Sequence, residues 1–328
     1  MFDTMKLRIP IVSPYLKRAR EHWKWNLKSV THPDDALRER VDAKVVLLTG
    51  ASSGIGAQVA HRLADAGATV LLAARSGDKL DALAQEIRSH GGAAAVYAGN
   101  LAEMQDCDRI CQQALADHGR VDILINNAGR SIRRSIKFSF DRFHDYERTM
   151  QLNYFGCLRV TMGFLPGMVA KKKGHIVNIS SIGVLTNAPR FSAYVSSKAA
   201  LDAFSRCAQA EFSDLGINFT TINMPLVKTP MIAPTKIYDQ VPTLTPEEAA
   251  ALVCNAIIHK PVRVATRLGI FGQTLYAVMP RVAQIIMNTT FRMFPDSSAA
   301  KAPKAGLLPD LPSADQVAFQ QFMRGIHF

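Results

Sequence analysis

The chain has 328 residues, which suits one large domain or two small ones with a sizeable hydrophobic core. Lys and Arg number 39 against 27 Asp and Glu, and the net charge of +12 favours acidic partners such as nucleic acid, anionic lipid or phosphorylated ligands without choosing among them. The five cysteines form no C-x-x-C pair, so we predict reduced thiols in a cytoplasmic protein and no metal site.

Residues 1–43 form a basic N-terminal extension in this prediction. They lack the uninterrupted apolar segment and the small-residue cleavage site of a secretory signal, so we expect them to be retained. Over residues 1–28, seven Lys or Arg stand against two acidic residues, and apolar residues recur at helical spacing at Leu16, Ala19, Trp23 and Leu27. This pattern is typical either of a helix lying on a membrane surface or of a helix packed on the domain or on a partner subunit.

Seven short apolar runs follow from Lys44 onward and alternate with longer helical patterns. They read KVVLLT, TVLLAA, AAVYA, VDILIN, HIVNIS, INFTTIN and RVAT. Apolar runs that alternate with helices predict parallel strands buried on both faces. We therefore predict an α/β fold over residues 44–267. It is a Rossmann-type, doubly wound parallel sheet of about seven strands, with N-terminal and C-terminal helical extensions.

Residues 268–328 form an apolar C-terminal extension. Polar and charged residues interrupt its first part, and Pro280 stands near the middle of that part, so we do not expect a membrane-spanning helix. The excess of Met, Phe and Leu suits a wall that contacts an acyl chain or a membrane, and an ordinary packed helix pair is the alternative.

The first strand runs directly into TGASSGIG, in which Gly50, Gly54 and Gly56 open the next helix. Glycines permit the tight turn and let phosphate oxygens approach backbone N–H groups at the helix N-terminus, where the dipole favours negative charge. Strand, turn and helix in this order predict a dinucleotide site. Arg75 and Ser76 follow the second strand, where an acidic residue would hold a ribose 2′-hydroxyl. Because a guanidinium pairs with a 2′-phosphate, we predict NADP(H) rather than NAD(H).

A cluster of polar side chains is predicted near the same edge of the sheet. Tyr194 and Lys198 lie four residues apart in YVSSK and share one helix face, where the ammonium should lower the pKa of the phenol and ease proton transfer. Ser181 follows the strand HIVNIS and could place a hydroxyl beside the same substrate oxygen. Asn153 adds an amide to an otherwise apolar helix that faces the sheet.

These motifs, together with NNAG at 126–129, resemble those of the short-chain dehydrogenase/reductase family over residues 43–267. The resemblance implies that Tyr194 is the general acid and that Ser181 polarises the carbonyl. It also implies that Lys198 holds the nicotinamide ribose and lowers the tyrosine pKa, and that Asn153 orders a water in the proton relay. The implied cofactor-binding residues are Gly50, Ser52, Ser53, Gly54, Ile55, Gly56, Arg75, Ser76, Asn100, Leu101, Asn127, Ala128, Gly129, Tyr194, Lys198, Val227 and Thr229.

Two positions depart from the common pattern of that family. Asn100 stands where an Asp that contacts adenine is usual, and this change should weaken only the adenine contact. Met224 and Pro225 replace the usual Pro-Gly ahead of Val227 and Thr229. Because proline fixes φ and lacks an N–H, the backbone beside the nicotinamide should differ from the common form.

Longer stretches, among them SFDRFHDYERTMQLNYFG and MPLVKTPMIAPTKIYDQVPTLTPEEAA, resemble a narrower group, the bacterial fatty acyl-CoA reductases that form aldehydes. This resemblance implies that NADPH delivers hydride to a long-chain thioester and that the hemithioacetal collapses to aldehyde and CoA. The alternative is a ketone or aldehyde reductase of the same family that acts on a lipid or steroid-like carbonyl. A third reading is a non-catalytic NADP-binding scaffold at a membrane. Direct hydride attack needs no nucleophile, so we interpret Cys157 as a packing residue.

The segment INNAGRSIRRSIKF places four cations directly after the fourth strand, at the edge where doubly wound folds bind ligands. Arg130, Arg133 and Arg134 are therefore candidate contacts for the phosphates of CoA, with a solvated surface or a subunit contact as the alternative. No recognisable nucleic-acid module accompanies the basic residues, so nucleic acid is not an expected partner. The family resemblance implies a homodimer or homotetramer, and the basic and apolar extensions suggest peripheral membrane contact.

Overall fold

The computed structural model describes residues 34–232, residues 243–294 and Asp296. Its centre is one parallel sheet of seven strands, paired in the order β3-β2-β1-β4-β5-β6-β7. The strands are β1 (Val45–Thr49), β2 (Thr69–Ala74), β3 (Ala93–Ala98), β4 (Ile123–Asn126), β5 (Gly174–Ile179), β6 (Ile217–Asn223) and β7 (Arg263–Ala265). All seven predicted strands are present, and the doubly wound α/β fold predicted from their alternation with helices is confirmed.

Helices cover both faces of the sheet. They are α1 (Asp34–Val41), α2 (Gly54–Asp65), α3 (Gly77–Ser89), α4 (Met104–His118), α5 (Phe143–Met150), α6 (Cys157–Ala170), α7 (Ile182–Thr186), α8 (Ser192–Phe212), α9 (Pro246–His259), α10 (Arg267–Val278) and α11 (Pro280–Met293). Buried residues of α1, α2, α3 and α9 form one apolar layer, and those of α4, α6 and α8 form the other. Strand β1 supplies both layers, because Val46 and Leu48 face the first and Val45 and Leu47 face the second.

Helix α9 was not among the predicted elements, although its N-terminus carries a clear local signal. The Thr245 hydroxyl accepts a hydrogen bond from the Glu248 N–H at 3.2 Å, and the Glu248 carboxylate accepts one from the Thr245 N–H at 2.8 Å. This reciprocal capping box, with Pro246 at the first helical position, satisfies helix donors that would otherwise lack partners. The run TPEE carries this capping pattern, so the start of the helix could have been predicted from the sequence.

The two extensions differ in how they join the sheet. Helix α1 lies within the predicted N-terminal extension, yet its Leu37 and Val41 are buried in the first apolar layer. The amphipathic pattern predicted over residues 1–28 lies outside the described residues. At the other end, α10 and α11 pack against each other, and among the described ranges no helix is long and apolar enough to cross a bilayer.

Candidate active site

A cavity of about 630 Å³ opens at the carboxyl edge of the sheet. It lies beyond the ends of β1 and β4, where the strand order reverses and doubly wound sheets bind ligands. The predicted site residues that line it are Gly50, Ser52, Ser53, Gly54, Ile55, Arg75, Ser76, Leu101, Asn127, Ala128, Gly129, Arg133, Arg134, Ser181, Tyr194, Lys198, Val227 and Thr229. Four further predicted residues lie in the described ranges but do not line the cavity: Gly56, Asn100, Arg130 and Asn153.

The glycine-rich turn shapes one end of this cavity. Gly50 and Gly54 have φ of +66° and +57°, which side chains rarely adopt. A Cβ on Gly56 would lie 2.2 Å from the Gly50 carbonyl oxygen, so glycine there allows α2 to approach the strand end closely. The N-terminus of α2 has no side-chain cap at Ser53, and its first residues line the cavity. Backbone N–H groups at such a terminus suit a pyrophosphate.

Arg75 and Ser76 follow β2 and line the cavity at the same end as the glycine turn. Both residues are exposed, so the Arg75 guanidinium is accessible to a phosphate. Asn100 instead stabilises its own turn, because its Oδ1 atom accepts a hydrogen bond from the Ala102 N–H at 3.3 Å. Its predicted adenine contact stays a prediction.

The segment after β4 is held tightly against β1. The Asn127 amide donates to the carbonyl oxygens of Thr49 and Gly50 at 3.0 and 3.1 Å. The Thr49 hydroxyl oxygen accepts hydrogen bonds from the N–H groups of Asn127 and Ala128, both at 3.0 Å. These bonds fix the floor of the cavity between its two ends. A Cβ on Gly129 would lie 3.4 Å from the Lys198 Nζ atom, so the chain passes close to the predicted catalytic side chains.

Asn153 lies behind the cavity wall in a π-helical turn, Gln151–Gly156, that joins α5 to α6. Its Oδ1 atom accepts from the Arg130 N–H at 2.8 Å, and its Nδ2 atom donates to the Arg130 carbonyl oxygen at 2.8 Å and to the Ser197 hydroxyl at 2.9 Å. Ser197 in turn donates to the Tyr194 carbonyl oxygen at 2.7 Å. The fully buried amide therefore links the segment after β4 to the helix that carries Tyr194. Single π-turns of this kind are frequent at functional sites.

Tyr194 and Ser181 meet at the cavity. Burial raises the pKa of Tyr194, a hydrogen bond with the Ser181 hydroxyl lowers it in part, and the nearby Asp202 carboxylate raises it further. The net shift is upward, opposite to the lowering predicted from Lys198, because burial outweighs the stabilisation of the phenolate. Tyr194 is therefore a protonated phenol at neutral pH. The Ser181 oxygen also accepts from the Gly183 N–H at 3.1 Å, which fixes it at the start of α7.

Lys198 is buried beside the end of β5. Its Nζ atom donates to the Ile179 carbonyl oxygen at 2.7 Å. Burial lowers the pKa of this ammonium, whereas Cys157 and Asp202 raise it. Cys157 is itself buried, and burial raises the pKa of its thiol despite the opposing effect of Lys198. A raised thiol pKa disfavours a nucleophilic thiolate, which fits the interpretation of Cys157 as a packing residue.

The basic run after β4 divides between the cavity and the protein interior. Arg133 and Arg134 line the cavity. The Arg134 Nε atom lies 3.6 Å from a carboxylate oxygen of Asp145, which is only 3% exposed and also pairs with Arg142 and Arg148. The Arg133 guanidinium donates to the Phe294 carbonyl oxygen at 3.5 Å. Much of the charge that the sequence shows as one cluster therefore has protein partners.

Arg130 has a different environment. Its side chain is partly buried, and burial lowers its pKa, as do the positive charges of Arg148 and Arg75. The guanidinium of Arg130 is therefore repelled by the positive charge of Arg75, the residue predicted to bind the 2′-phosphate. Its predicted contact with substrate stays a prediction.

Several cavity residues were missed by the sequence analysis. They flank the predicted catalytic residues and include Ser180, Ile182, Gly183, Thr186, Ala188, Phe191 and Val195. Val195 lies within YVSSK and Ser180 ends HIVNIS, but neither motif assigned them a role, and the signal of the others is proximity in sequence to Ser181 or Tyr194. Ser197, which connects Asn153 to the catalytic helix, could have been noticed only as a second serine within YVSSK.

Comparison with known proteins relates this geometry to a family. The family model described as short chain dehydrogenase matches residues 44–238. A fatty acyl-CoA reductase of Acinetobacter baylyi is 56% identical over 263 residues, which span 80% of this chain and 89% of the relative. A fatty acyl-CoA reductase of Mycobacterium tuberculosis is 46% identical over 246 residues, spanning 75% of this chain and 84% of that protein. A solved metagenomic short-chain oxidoreductase in complex with NADP superposes with a TM-score of 0.58 at 28% identity, covering 67% of this chain and 92% of that one.

The hydrogen bonds of Asn153 should be measurable as coupled stability. We expect Asn153→Ala to lower the free energy of unfolding by about 2–4 kcal/mol, because both backbone groups of Arg130 lose their partner. Ser197→Ala should cost about 1 kcal/mol. Chemical denaturation of the single and double variants gives their coupling energy, expected to exceed ~0.5 kcal/mol. Strictly additive losses would contradict the contact between the two side chains.

Proposed function

Since the chain belongs to the short-chain dehydrogenase/reductase family, we propose that it reduces a long-chain fatty acyl-CoA to a fatty aldehyde and free CoA. The chain is an oxidoreductase of that family and its cofactor is NADP(H). The observation that carries the proposal is that Tyr194, Ser181 and Lys198 line one cavity of about 630 Å³, in a chain similar along most of its length to two fatty acyl-CoA reductases.

The cavity fits NADP(H) at three places. The uncapped N-terminus of α2 suits the pyrophosphate, the exposed Arg75 suits the 2′-phosphate, and the buried Lys198 lies beside Gly129 where the nicotinamide ribose would be held. When bound, NADPH supplies the hydride for the reduction.

The residues of this chain stabilise the oxygen of the thioester as it gains charge. The Tyr194 phenol and the Ser181 hydroxyl donate hydrogen bonds to the carbonyl oxygen, and Tyr194 then gives up its proton to that oxygen. Because burial keeps Tyr194 protonated, the proton is available at neutral pH. Lys198 limits the cost of the phenolate that remains, since its ammonium lies one helical turn away. The resulting hemithioacetal collapses, releasing the thiol of CoA and leaving the aldehyde.

The mouth of the cavity provides cations for the phosphates of CoA. Arg133 and Arg134 line it, and Arg130 adds charge nearby. Arg134 is tied to Asp145, so it offers positive charge in a fixed position. We assign the leading role to Arg133, because it lines the cavity and its hydrogen bond to the Phe294 carbonyl oxygen orients the guanidinium.

Helices α10 and α11 present a surface suited to peripheral contact with an anionic membrane. Their exposed apolar residues are Ile270, Phe271, Tyr276, Val278, Met279, Val282, Ile285 and Ile286. Residues 261–294 contain four arginines and no acidic residue. An exposed face that combines apolar side chains with positively charged ones and no acidic ones is typical of helices that lie in the headgroup region of a bilayer.

Tyr194→Phe should abolish turnover without preventing cofactor binding. We expect NADPH oxidation in the presence of hexadecanoyl-CoA to fall at least about a hundredfold, since the variant lacks the proton donor. NADPH binding, followed by its fluorescence, should persist. Tyr276→Phe on α10 is the matched control and should behave as the unmodified chain. The unmodified chain should also oxidise NADPH with the thioester and not with a long-chain methyl ketone; the reverse preference would support the ketone reductase instead.

Arg133→Ala should affect the CoA portion of the substrate selectively. We expect the KM for hexadecanoyl-CoA to rise roughly tenfold, because the variant loses one charge-assisted hydrogen bond to a phosphate. The KM for the hexadecanoyl thioester of N-acetylcysteamine should change little, because that substrate has no phosphates. Lys171→Ala removes the same charge just before β5, at the opposite edge of the sheet, and should change neither KM. An equal rise for both thioesters would contradict a contact between Arg133 and the phosphates.

Phe271→Glu should weaken membrane contact, because it places a carboxylate in the exposed apolar face of α10. Co-sedimentation with vesicles of phosphatidylglycerol and phosphatidylcholine measures the effect, with Phe140→Glu as the control at an exposed phenylalanine outside α10 and α11. Equal co-sedimentation of both variants and the unmodified chain would contradict the contact.

A further inference from the structure

A second cavity lies beside the catalytic one, and we propose that it receives the distal part of the alkyl chain of the substrate. This inference rests on the proposed function, because it assigns a location to the hydrocarbon tail of a long-chain acyl thioester. The cavity has a volume of about 440 Å³, which is within the range of pockets that hold small molecules.

The two cavities share a boundary close to the reacting atoms. Ala188 and Val195 line both of them. Val195 directly follows Tyr194 on α8, so the shared boundary lies one residue from the proton donor. In this proposal, a chain attached to the carbonyl carbon enters the second cavity across this shared boundary. The side chain of Ala188 is a single methyl group, and a larger residue there would narrow the boundary between the two cavities.

The second cavity is chemically suited to hydrocarbon rather than to the phosphates of CoA. Its interior surface is mostly apolar, and Ile136, Pro189 and Phe291 are among the residues that line it. Lys137 lies at its edge with its ammonium 5.0 Å from the centre of the Phe138 ring, a cation–π contact. Moving the methylene groups of an alkyl chain from water to such a surface lowers the free energy of the bound state.

Phe291 closes one side of this cavity, and a buried ion pair holds it there. The Arg190 guanidinium lies 3.9 Å from the centre of the Phe291 ring and donates to the Phe291 carbonyl oxygen at 2.9 Å. The Arg190 Nε atom is 3.2 Å from a carboxylate oxygen of Asp296, and the two side chains are 5% and 2% exposed. Asp296 also accepts a hydrogen bond from the Ser135 N–H at 2.9 Å.

This arrangement joins three segments that are distant in the sequence. Arg190 belongs to the segment between α7 and α8, Ser135 to the segment after β4, and Phe291 to the end of α11. Within α11, whose residues are all described, Ala283 alone is buried, so general packing does little to place Phe291. Arg190 also holds a φ of +70°, an unfavourable value for a residue with a side chain. The ion pair therefore holds Phe291 in place as a wall of the cavity, at the cost of an unfavourable backbone conformation at Arg190.

Filling and enlarging the cavity should change chain-length preference in opposite directions. Ser196 is exposed on α8 and lines only the second cavity, so Ser196→Phe fills it from the helix surface. We expect this variant to lower the ratio of kcat/KM for hexadecanoyl-CoA to that for octanoyl-CoA by roughly tenfold, since each methylene that loses burial costs a factor of about four. Phe291→Ala removes the wall and should raise the ratio of kcat/KM for eicosanoyl-CoA to that for octanoyl-CoA.

Cys207→Phe is the matched control, at an exposed position three helical turns further along α8. It adds the same side chain outside the cavity and should leave the ratio unchanged. If Ser196→Phe and Cys207→Phe both leave the ratio unchanged while the unmodified chain reduces acyl-CoA, the second cavity is not the chain site and the proposed function stands.

Direct binding separates this inference from the proposed function. Parinaric acid, a fluorescent long-chain fatty acid, should bind the unmodified chain and bind Ser196→Phe at least about tenfold more weakly. If the unmodified chain reduces no acyl-CoA, the proposed function fails, and the parinaric acid comparison still decides whether the cavity holds an alkyl chain. Equal binding to Ser196→Phe, Cys207→Phe and the unmodified chain would overturn the inference.

Discussion

The catalytic arrangement depends on the three hydrogen bonds of one buried amide. Asn153 engages both backbone groups of Arg130 and the hydroxyl of Ser197, and so holds the segment after β4 at a fixed distance from helix α8. The π-helical turn that carries Asn153 inserts this amide between two elements that the sheet alone would not connect. A buried amide that lacks hydrogen-bond partners destabilises the fold, so few other positions of Asn153, Arg130 and Ser197 relative to one another are stable.

The sheet supplies the rest of the precision. Strands β1, β4 and β5 are buried on both faces, so packing on each side fixes the position at which each strand ends. Another layer of polar contacts ties their ends together: the Asn126 amide donates to Asn178, and the Asn178 amide donates to Ser205 on α8. Ser181, Tyr194 and Lys198 thus belong to rigid elements, which suits chemistry that relies on positioning and oxygen stabilisation.

Features encoded in short segments could be predicted from the sequence. The seven strands follow from apolar runs, and the glycine turn follows from Gly50, Gly54 and Gly56 in their strand-turn-helix context. The shared helix face of Tyr194 and Lys198 follows from spacing alone. Each of these depends on residues close in the chain, for which local geometry leaves few choices.

Features that depend on distant partners could not be predicted. The sequence shows Arg130, Arg133 and Arg134 as one cluster of charge, yet Arg134 pairs with Asp145 and Arg133 contacts the end of α11. The pKa of Tyr194 depends on burial, which no spacing reveals, so its net shift is upward although Lys198 lies on the same helix face. The ion pair of Arg190 with Asp296 joins positions 106 residues apart.

The central claim is that the reduced group is a thioester carbonyl. The most direct measurement follows hexadecanoyl-CoA and NADPH deuterated at the transferable position, with the aldehyde trapped and analysed by mass spectrometry and free thiol counted. The account predicts one deuterium at the aldehyde carbon and one thiol released for each NADPH consumed. Consumption of NADPH without thiol release, or thiol release without deuterium in the product, would contradict it.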